Sequence, residues 1–389
     1  MRWKLYHILN PGRHQKNTYG FNTTHSPPQL RELNAFEEDL FKMIRDIKFR
    51  QVRNSFQQKL LESVKSIRNS KNVIVKADKT RNLYEIAPDD YRKLLRNNIT
   101  AEYKKSDIEK IQVLNKEASK ITNKLDIADR IDKYTESNAF ITIKDHKAEF
   151  PGRIQCRLIN PAKSNLGKIS KAILGKHVKE IKQKTNSNQW KNSSDAIEWF
   201  KKLENKNSLV FFKFDINSYY PSITENLFNE ALEWSKGYTT IPEEEIQILR
   251  HTRKSFLFYQ DEPWVKKTCE NFDVTMGAYD GAEMCEFIGL YILNKLKSFI
   301  DQKQVGLYRD DGLAAVSGSG PDVERLRKKI IRVFKDLGLN VSIEANMKQT
   351  DFLDIFFDLE KNLYKLYRKP NENPIYINEE QPSQINYQI

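Results

Sequence analysis

Three aspartates form the most suggestive set of residues in this sequence. Asp215 directly follows an apolar segment, and Asp310 and Asp311 are adjacent in a turn-like sequence. Each feature alone has an ordinary explanation, because Asp-Asp-Gly is typical of turns and Asp215 could cap a helix. Together they favour chemistry, because an aspartate that ends a buried strand needs a cation nearby. Divalent ions such as Mg²⁺ prefer oxygen ligands, so the three carboxylates predict a two-metal site for phosphoryl transfer.

Two predicted strand segments would position these carboxylates at one edge of a sheet. Segment 208–214 is the most apolar strand candidate and leads directly into Asp215. Segments 305–308 and 313–316 predict a tight β-hairpin with Asp310 and Asp311 at its tip. The pattern also predicts a helix that starts at Pro221, helices at 282–300 and 321–337, and strands near 341–343 and 352–357.

The N-terminal half predicts a mixture of helices and short strands. Apolar residues three and four positions apart predict two amphipathic helices between Pro27 and Ser70. After them we expect a hairpin at 72–86 with a turn at 78–82, a charged helix at 105–134, and strands at 139–143 and 154–159 that flank a basic loop. Helices and strands alternate without an internal repeat, so the expected fold class is α+β.

The charge of the chain is consistent with a polyanionic partner. There are 65 Lys and Arg residues against 52 Asp and Glu, which gives a net charge of +13. Segment 163–206 alone carries eleven Lys and four acidic residues. Each phosphate that a basic side chain neutralises releases a condensed counterion, which favours nucleic acid as the partner. A solvated basic surface explains the composition equally well until a motif is considered.

The sequence also restricts the compartment and the metal chemistry. No run of apolar residues is long enough to span a membrane, and the N-terminal residues lack the apolar core of a secretory signal. The three cysteines, Cys156, Cys269 and Cys285, include no CxxC pair, which excludes a disulfide framework and a tetrathiolate zinc site. We expect an intracellular protein, nuclear or cytoplasmic, that is not secreted and has no membrane partner. Cys156 and Cys285 are expected to be buried and inert.

Three segments resemble the motifs of reverse transcriptases in order and spacing. Residues 214–223 (FDINSYYPSI) are similar to motif A, residues 276–281 (MGAYDG) to motif B, and residues 308–311 (YRDD) match the YxDD of motif C. Residues 144–147 (KDHK) and 156–159 (CRLI) are similar to the K-x-H-K and R-P-I elements of Penelope-like retroelement polymerases. The family's ADKG hairpin and its FLD and YRKP stretches correspond to 77–80, 352–354 and 367–370. The resemblance covers residues 70 to 378.

The sequence departs from the family at several points. Motif B continues as Tyr279-Asp280-Gly281 in place of the usual S-P continuation, and Leu158 stands where Pro is typical. About eleven residues follow position 378, where the family has a helical thumb and often a GIY-YIG endonuclease. We therefore expect a short or absent thumb and no endonuclease. A partner chain or a second copy would then supply the thumb function.

The resemblance implies roles for the metal ligands. Asp215 and Asp310 would bridge two Mg²⁺ ions, with Mn²⁺ as an alternative, and the Ile216 carbonyl would complete one coordination shell. Asp311 would be the peripheral carboxylate. These ions would activate the primer 3′-hydroxyl and neutralise the departing pyrophosphate.

The resemblance also implies nucleotide-binding residues. Arg157 and one of Lys144 or Lys147 would bind the triphosphate, because guanidinium and ammonium groups suit phosphate oxygens. Tyr220 would lie under the sugar and exclude a 2′-hydroxyl, with Tyr219 as a core residue. Gly277 would let the backbone approach the nucleotide closely. Lys348 is the candidate general acid for the pyrophosphate.

These inferences predict a right-hand polymerase with an N-terminal helical extension (1–70), fingers (71–206), a palm (207–378) and a tail (379–389). The predicted activity is that of an RNA-directed DNA polymerase of a retroelement. It would extend a DNA or RNA primer along an RNA template with deoxynucleoside triphosphates. Two alternatives remain open at this stage. An RNA-templated RNA polymerase or terminal transferase could use the same palm, although Tyr220 argues against it. A catalytically inactive, domesticated nucleic-acid-binding remnant is favoured by the missing thumb and opposed by the intact aspartates.

Overall fold

The computed structural model describes residues 2–10, 29–48, 54–80, 82–125, 127–128, 131 and 134–367. The predicted tail (379–389) and residues 368–370 of the YRKP-like stretch lie outside these residues. The helices of the described part are α1 (Arg2–Leu9), α2 (Asn34–Asp46), α3 (Ser55–Asn69), α4 (Pro88–Glu102), α5 (Ile108–Lys124), α6 (Gly167–Thr185), α7 (Ser193–Lys202), α8 (Tyr219–Ser222), α9 (Glu225–Ser235), α10 (Glu243–His251), α11 (Gly281–Leu296) and α12 (Gly320–Asp336).

The strands of the described part form several small sheets and one larger one. They are β1 (Val73–Lys76), β2 (Leu83–Ile86), β3 (Tyr103–Lys105), β4 (Phe140–Ile143), β5 (Cys156–Ile159), β6 (Asn188–Gln189), β7 (Leu209–Ile216), β8 (Leu257–Tyr259), β9 (Glu262–Lys266), β10 (Val305–Tyr308), β11 (Asp311–Ser317), β12 (Val341–Met347), β13 (Gln349–Phe352), β14 (Ile355–Asp358) and β15 (Leu363–Leu366). The mixture of helices and antiparallel sheets is the α+β class expected from the sequence.

The largest sheet has five strands in the order β12-β7-β11-β10-β6. Strand β7 lies between β12 and β11 and is antiparallel to both, while β10 and β11 form the predicted hairpin. Smaller sheets pair β1 with β2, β4 with β5, β3 with β9 and β8, and β13 with β14 and β15. The position of β7 between two other strands agrees with its being the most apolar strand in the sequence.

Strand β7 is buried on both faces because successive side chains alternate between two cores. Phe212, Phe214 and Ile216 belong to the larger core, which includes residues of α6, α9, α11 and α12. Leu209 and Phe211 belong to the second core, which includes residues of α7 and of the β13–β14 hairpin. Both cores hold the sheet rigidly behind the segment that ends in Asp215.

The hairpin β1–β2 lies beside the β4–β5 hairpin. An isolated parallel bridge joins Ala77 to Ile143, and the backbone N–H of Asp78 donates to the Ile143 carbonyl at 2.7 Å. The first hairpin and the two strands of the second were predicted from the sequence, but the association of the two hairpins was not. The chain between β4 and β5 is the basic loop 144–153.

Four predicted elements differ from the structure in their boundaries. The helix expected from Pro221 is two helices, the short α8, which contains Pro221, and α9, which starts at Glu225 because Thr224 caps it by accepting from the Leu227 N–H at 3.2 Å. The charged helix expected at 105–134 is α5, which ends at Lys124, and the helix expected at 282–300 is α11, which ends at Leu296. The strand expected at 352–357 is two strands, since residues 353 and 354 form a turn with positive φ angles.

Helices α2 and α3 contain no buried residue. Their apolar faces are exposed, for example at Phe41 (59% exposed) and Leu61 (56% exposed). The two helices predicted from the periodicity are confirmed. Their apolar residues are not buried, although such residues usually face a core. No helix of the described residues is long and apolar enough to cross a membrane.

Candidate active site

The three predicted aspartates meet at one end of the central sheet. Asp311 is directly opposite Asp215 in the antiparallel register of β11 and β7. Residues opposite each other on adjacent strands have Cα atoms about 4.5 to 5.5 Å apart and side chains on the same face. Asp310 precedes β11, and its carbonyl accepts the backbone N–H of Ile216 at 2.9 Å. The strand pairing therefore brings together the carboxylates that the sequence predicted.

The hairpin that carries Asp310 is a two-residue turn, since Tyr308 pairs with Asp311. Arg309 adopts the left-handed conformation that such a turn requires, with φ of +53°. Gly312 follows, and a Cβ atom at that position would overlap the ring of Phe214 on the neighbouring strand. Glycine after the two aspartates is therefore explained by packing of β11 against β7.

A cavity of about 390 Å³ opens at this end of the sheet. All three aspartates line it, and so do Ile216 and the cationic residues Lys144, Lys147 and Arg157. The basic loop and β5 thus contribute cations to the cavity that the three aspartates line. A larger cavity of about 690 Å³ lies beside Trp190 and, among the described residues, contains none of the predicted site residues.

The carboxylates repel one another in this arrangement. Burial, together with the negative charges of Asp310 and Asp215, raises the pKa of Asp311 to about 6. Burial and then the charge of Asp310 raise the pKa of Asp215, whereas Lys79 and Lys147 act in the opposite direction. Like charges in a partly desolvated site are stabilised when a cation binds between them.

The cationic side of the cavity also has a perturbed residue. Burial, and then the neighbouring charge of Arg157, lowers the pKa of Lys144. The Arg157 Nε lies 3.2 Å from the Asp78 Oδ1, which fixes the guanidinium beside Lys144. Clustered positive charges of this kind favour an anionic ligand such as a phosphate chain.

The carboxylates supply the type of donor that magnesium prefers. Within the described residues, no group of three or more His, Cys, Asp or Glu side chains is arranged closely enough to hold a metal ion by itself. Mg²⁺ is usually bound through one or two carboxylates, with substrate phosphates and waters as its other ligands. Asp215 and Asp311, opposite each other in register, supply oxygen donors of this kind.

The motif B loop is fixed against the end of β5. Gly277 has a φ of +110°, and a Cβ atom there would overlap the carbonyl oxygen of Asn160. The backbone N–H of Asn160 donates to the Met276 carbonyl at 3.2 Å, and the Asn160 side chain donates to the Phe256 carbonyl at 2.9 Å. Glycine at 277 is therefore required by this approach of two backbone segments. Thr275 and Met276, rather than Gly277, line the described part of the cavity.

A buried ion pair, which sequence reasoning missed, lies behind this loop. Asp280 accepts hydrogen bonds from Ser170, Thr252 and Arg253, and the Arg253 and Asp280 side chains are only 1% and 2% exposed. Asp280 immediately precedes α11. Only the departure of the sequence from the usual motif B at this position could have drawn attention to it.

The two adjacent tyrosines have different environments. Tyr219 is 1% exposed, and its hydroxyl donates to the Cys285 carbonyl at 2.9 Å, which confirms it as a core residue. Tyr220 is partly buried, and a Cβ atom at Gly281 would lie 3.3 Å from its ring. Burial raises the pKa of Tyr220. Tyr220 does not line the described cavity, so its role as a sugar gate stays a prediction.

The general acid predicted at Lys348 is wrong. Its Nζ donates to the carbonyls of Asn207 at 2.7 Å and Leu209 at 2.9 Å, at the beginning of β7. Asp215 is six residues further along that strand, which corresponds to about 20 Å at the usual rise. The antiparallel pairing of β12 with β7 carries the chain away from the carboxylates, so Lys348 stabilises the far end of the sheet.

The expectation for the cysteines holds only in part. Cys285 is fully buried, as expected. Cys156 is partly exposed and lines the cavity, so it is not a buried bystander. Burial nevertheless raises the pKa of the Cys156 thiol, which favours its neutral form.

Sequence reasoning also missed two residues of the β1–β2 turn. Asp78 and Lys79 line the cavity together with the aspartates and with His146 of the basic loop. The only signal for them was the ADKG-like segment 77–80, to which the sequence assigned a turn and no role.

No family model matches the sequence, and no curated protein matches it either. Solved structures do match. The structure of telomerase from Candida albicans in complex with a TWJ fragment of telomeric RNA aligns with a TM-score of 0.55 and 12% identity, over 82% of this chain and 59% of that one. The apo telomerase from Candida tropicalis, truncated from its C-terminal domain, aligns with a TM-score of 0.53 and 11% identity, over 78% and 65%.

These similarities show the fold of the chain. It has the mixed helix and sheet architecture of a polymerase palm and fingers, as the sequence predicted. The chain spans less than two thirds of the length of either telomerase chain, at 59% and 65%.

Proposed function

We propose that this chain is a reverse transcriptase of the Penelope-like retroelement type, an RNA-directed DNA polymerase that adds deoxynucleotides to a primer 3′-hydroxyl. One observation carries the proposal. Asp215 and Asp311 are opposite each other in register at a cavity that Lys144, Lys147 and Arg157 also line. Nucleotidyl transfer requires carboxylates and cationic side chains in the same cavity, since the carboxylates bind the metal ions and the cations bind the phosphates.

The residues of the chain then have separate tasks. Asp215, Asp310 and Asp311, with the Ile216 carbonyl, would hold Mg²⁺, or Mn²⁺ in its place. When bound, these ions would lower the pKa of the primer hydroxyl and neutralise charge on the pyrophosphate. Arg157 would bind the triphosphate while its Nε remains paired with Asp78.

The rest of the proposal concerns the sugar and the template. Tyr220 lies in α8 beside Gly281, and in this proposal its ring would exclude a 2′-hydroxyl from an incoming nucleotide. An RNA template and a DNA or RNA primer would bind along the basic surface of the chain, whose net charge is +13.

A substrate comparison tests the assignment. Purified protein is given a labelled primer on matched RNA and DNA templates, with either deoxynucleotides or ribonucleotides, in Mg²⁺. We expect template-directed extension on RNA with deoxynucleotides. Preferred use of ribonucleotides would indicate an RNA polymerase, and additions that ignore the template would indicate a terminal transferase. Binding of the primer–template without any extension would indicate a non-catalytic protein.

A further inference from the structure

The turn between β1 and β2 belongs to the candidate site, although it is distant in sequence from the aspartates. Asp78 and Lys79 both line the cavity that contains Asp215 and Asp311. Lys79 therefore shares one cavity with both carboxylates.

A single carboxylate fastens this turn to the fingers loop. The Asp145 Oδ2 accepts hydrogen bonds from the Thr80 hydroxyl, from the Asn82 amide at 2.9 Å and from the Tyr84 hydroxyl at 2.9 Å. Asp145 is 8% exposed and lies between Lys144 and His146 in sequence. The three bonds therefore hold the turn and the loop as one unit above the palm.

The cations that the turn and β5 present to the cavity are not equivalent. Arg157 is paired with Asp78, which offsets part of its charge, and the Asp78 side chain is 6% exposed. In the described part of the chain, the other oxygen of Asp78 is buried without a hydrogen-bond partner. Lys79 follows Asp78 in the same turn. Its side chain is exposed and adds a positive charge to the cavity. A triphosphate carries several negative charges, so it needs more cations than Arg157 alone provides.

We propose that Lys79 binds the triphosphate of the incoming nucleotide and that Asp145 is a positioning residue, which holds Lys79 in place through Thr80, Asn82 and Tyr84. This inference rests on the proposed function. It adds the β1–β2 hairpin to the nucleotide site, a role that the sequence did not assign to this hairpin.

The direct test compares two lysines of the same hairpin. Lys79→Ala should raise the KM for deoxynucleotide at least about tenfold and change kcat by less than about threefold, since a binding contact is lost. Lys76→Ala removes the same charge from the exposed end of β1, where the residue does not line the described cavity, and should leave KM within about twofold of wild type. Equal KM values for the two variants would overturn the proposal.

A double-mutant cycle tests the positioning role. Thr80→Val removes the bond to Asp145 while preserving shape, and it should raise KM about three- to tenfold, with Thr80→Ser restoring the wild-type value. In the Lys79→Ala background, Thr80→Val should add little, because Asp145 acts through Lys79. A rise in KM of the same size in both backgrounds would contradict the positioning role. Thermal unfolding of each variant shows whether a loss of folding accounts for the change.

A binding measurement separates this inference from the proposed function. Calorimetric titration with dATP in Ca²⁺ should show weaker binding to Lys79→Ala than to wild type and to Lys76→Ala. Weakened dATP binding without primer extension by wild type would contradict the polymerase but support the role of Lys79. Extension by wild type with unchanged dATP binding by Lys79→Ala would contradict this inference alone.

Discussion

Neutralising Asp280 should destabilise the palm severely, although the residue touches no predicted substrate. The Arg253 and Asp280 side chains are 1% and 2% exposed, and Asp280 also accepts hydrogen bonds from Ser170 and Thr252. Asp280→Asn preserves the volume and an acceptor oxygen but leaves the Arg253 guanidinium without a counter-charge. Breaking a buried pair by removing one partner costs about 3 to 5 kcal/mol.

The surroundings of Arg253 explain why the cost is expected to be large. Within the described residues, the Arg253 Nε and Nη1 are buried and have no hydrogen-bond partner, so Asp280 is the main compensation for the charge. The same pair also fixes the start of α11 and the loop that follows Val274, so activity should fall together with stability. Removing the charges of both Asp280 and Arg253 leaves no buried charge without a partner.

Urea unfolding at neutral pH, followed by far-ultraviolet circular dichroism, measures the effect. Asp280→Asn should lower the free energy of unfolding by about 3 to 5 kcal/mol, and the double variant Asp280→Leu with Arg253→Met should lower it by clearly less. A loss below about 1 kcal/mol for Asp280→Asn would refute the reasoning, since a surface substitution has an effect of that size. A double variant as unstable as the single one would refute it too.

Three further predictions concern a sugar gate, a buried histidine and a thiol. Tyr220→Ala should admit ribonucleotides, whereas Tyr219→Ala should chiefly cost about 3 to 5 kcal/mol of stability; unchanged sugar discrimination in Tyr220→Ala, measured by competing nucleotides, would exclude the gate. Burial lowers the pKa of His251 to about 4. In the unfolded chain His251 therefore binds more protons between that value and about 6.5, so His251 should contribute a loss of up to about 3 kcal/mol as pH falls through this window. His251→Gln should show a flatter pH profile in urea unfolding, and an equally steep one would contradict the assignment. Alkylation of Cys156 should block primer extension, and bound deoxynucleotide should slow the alkylation, which peptide mass spectrometry measures. Cys156→Ser should resist inactivation by the alkylating reagent. Inactivation of Cys156→Ser at the wild-type rate would contradict this prediction.

The sequence predicted those parts of the site that depend on local patterning. An apolar strand ending at Asp215 and a hairpin with Asp310 and Asp311 at its tip are signalled by hydrophobic runs and turn residues close together in the chain. Antiparallel pairing of these two elements then leaves few arrangements for the carboxylates. The predicted loop cations were also found at the cavity, because Lys144 and Lys147 follow β4 directly and Arg157 lies on the paired strand β5.

The features that were missed or wrong depend on long-range register. Lys348 follows the aspartates in sequence, but only the pairing of β12 along β7 shows that it ends near Leu209. Lys79 reaches the cavity because Asp78 bonds to Ile143, a contact that no local pattern signals. In the sequence Asp280 resembles an ordinary helix cap, and only the structure shows that Arg253 lies beside it. Periodicity predicts that α2 and α3 are helices, but it does not show what covers their apolar faces.

Single-nucleotide primer extension by aspartate variants tests the central claim most directly. Wild type, Asp215→Asn and Asp310→Asn are compared on an RNA template in Mg²⁺, with Asp336→Asn at the exposed end of α12 as the matched control. If the carboxylates hold the metal ions, the two site variants should lose extension by more than about a thousandfold while remaining folded. The control should keep wild-type activity. Activity of either site variant within about tenfold of wild type would contradict the two-metal assignment.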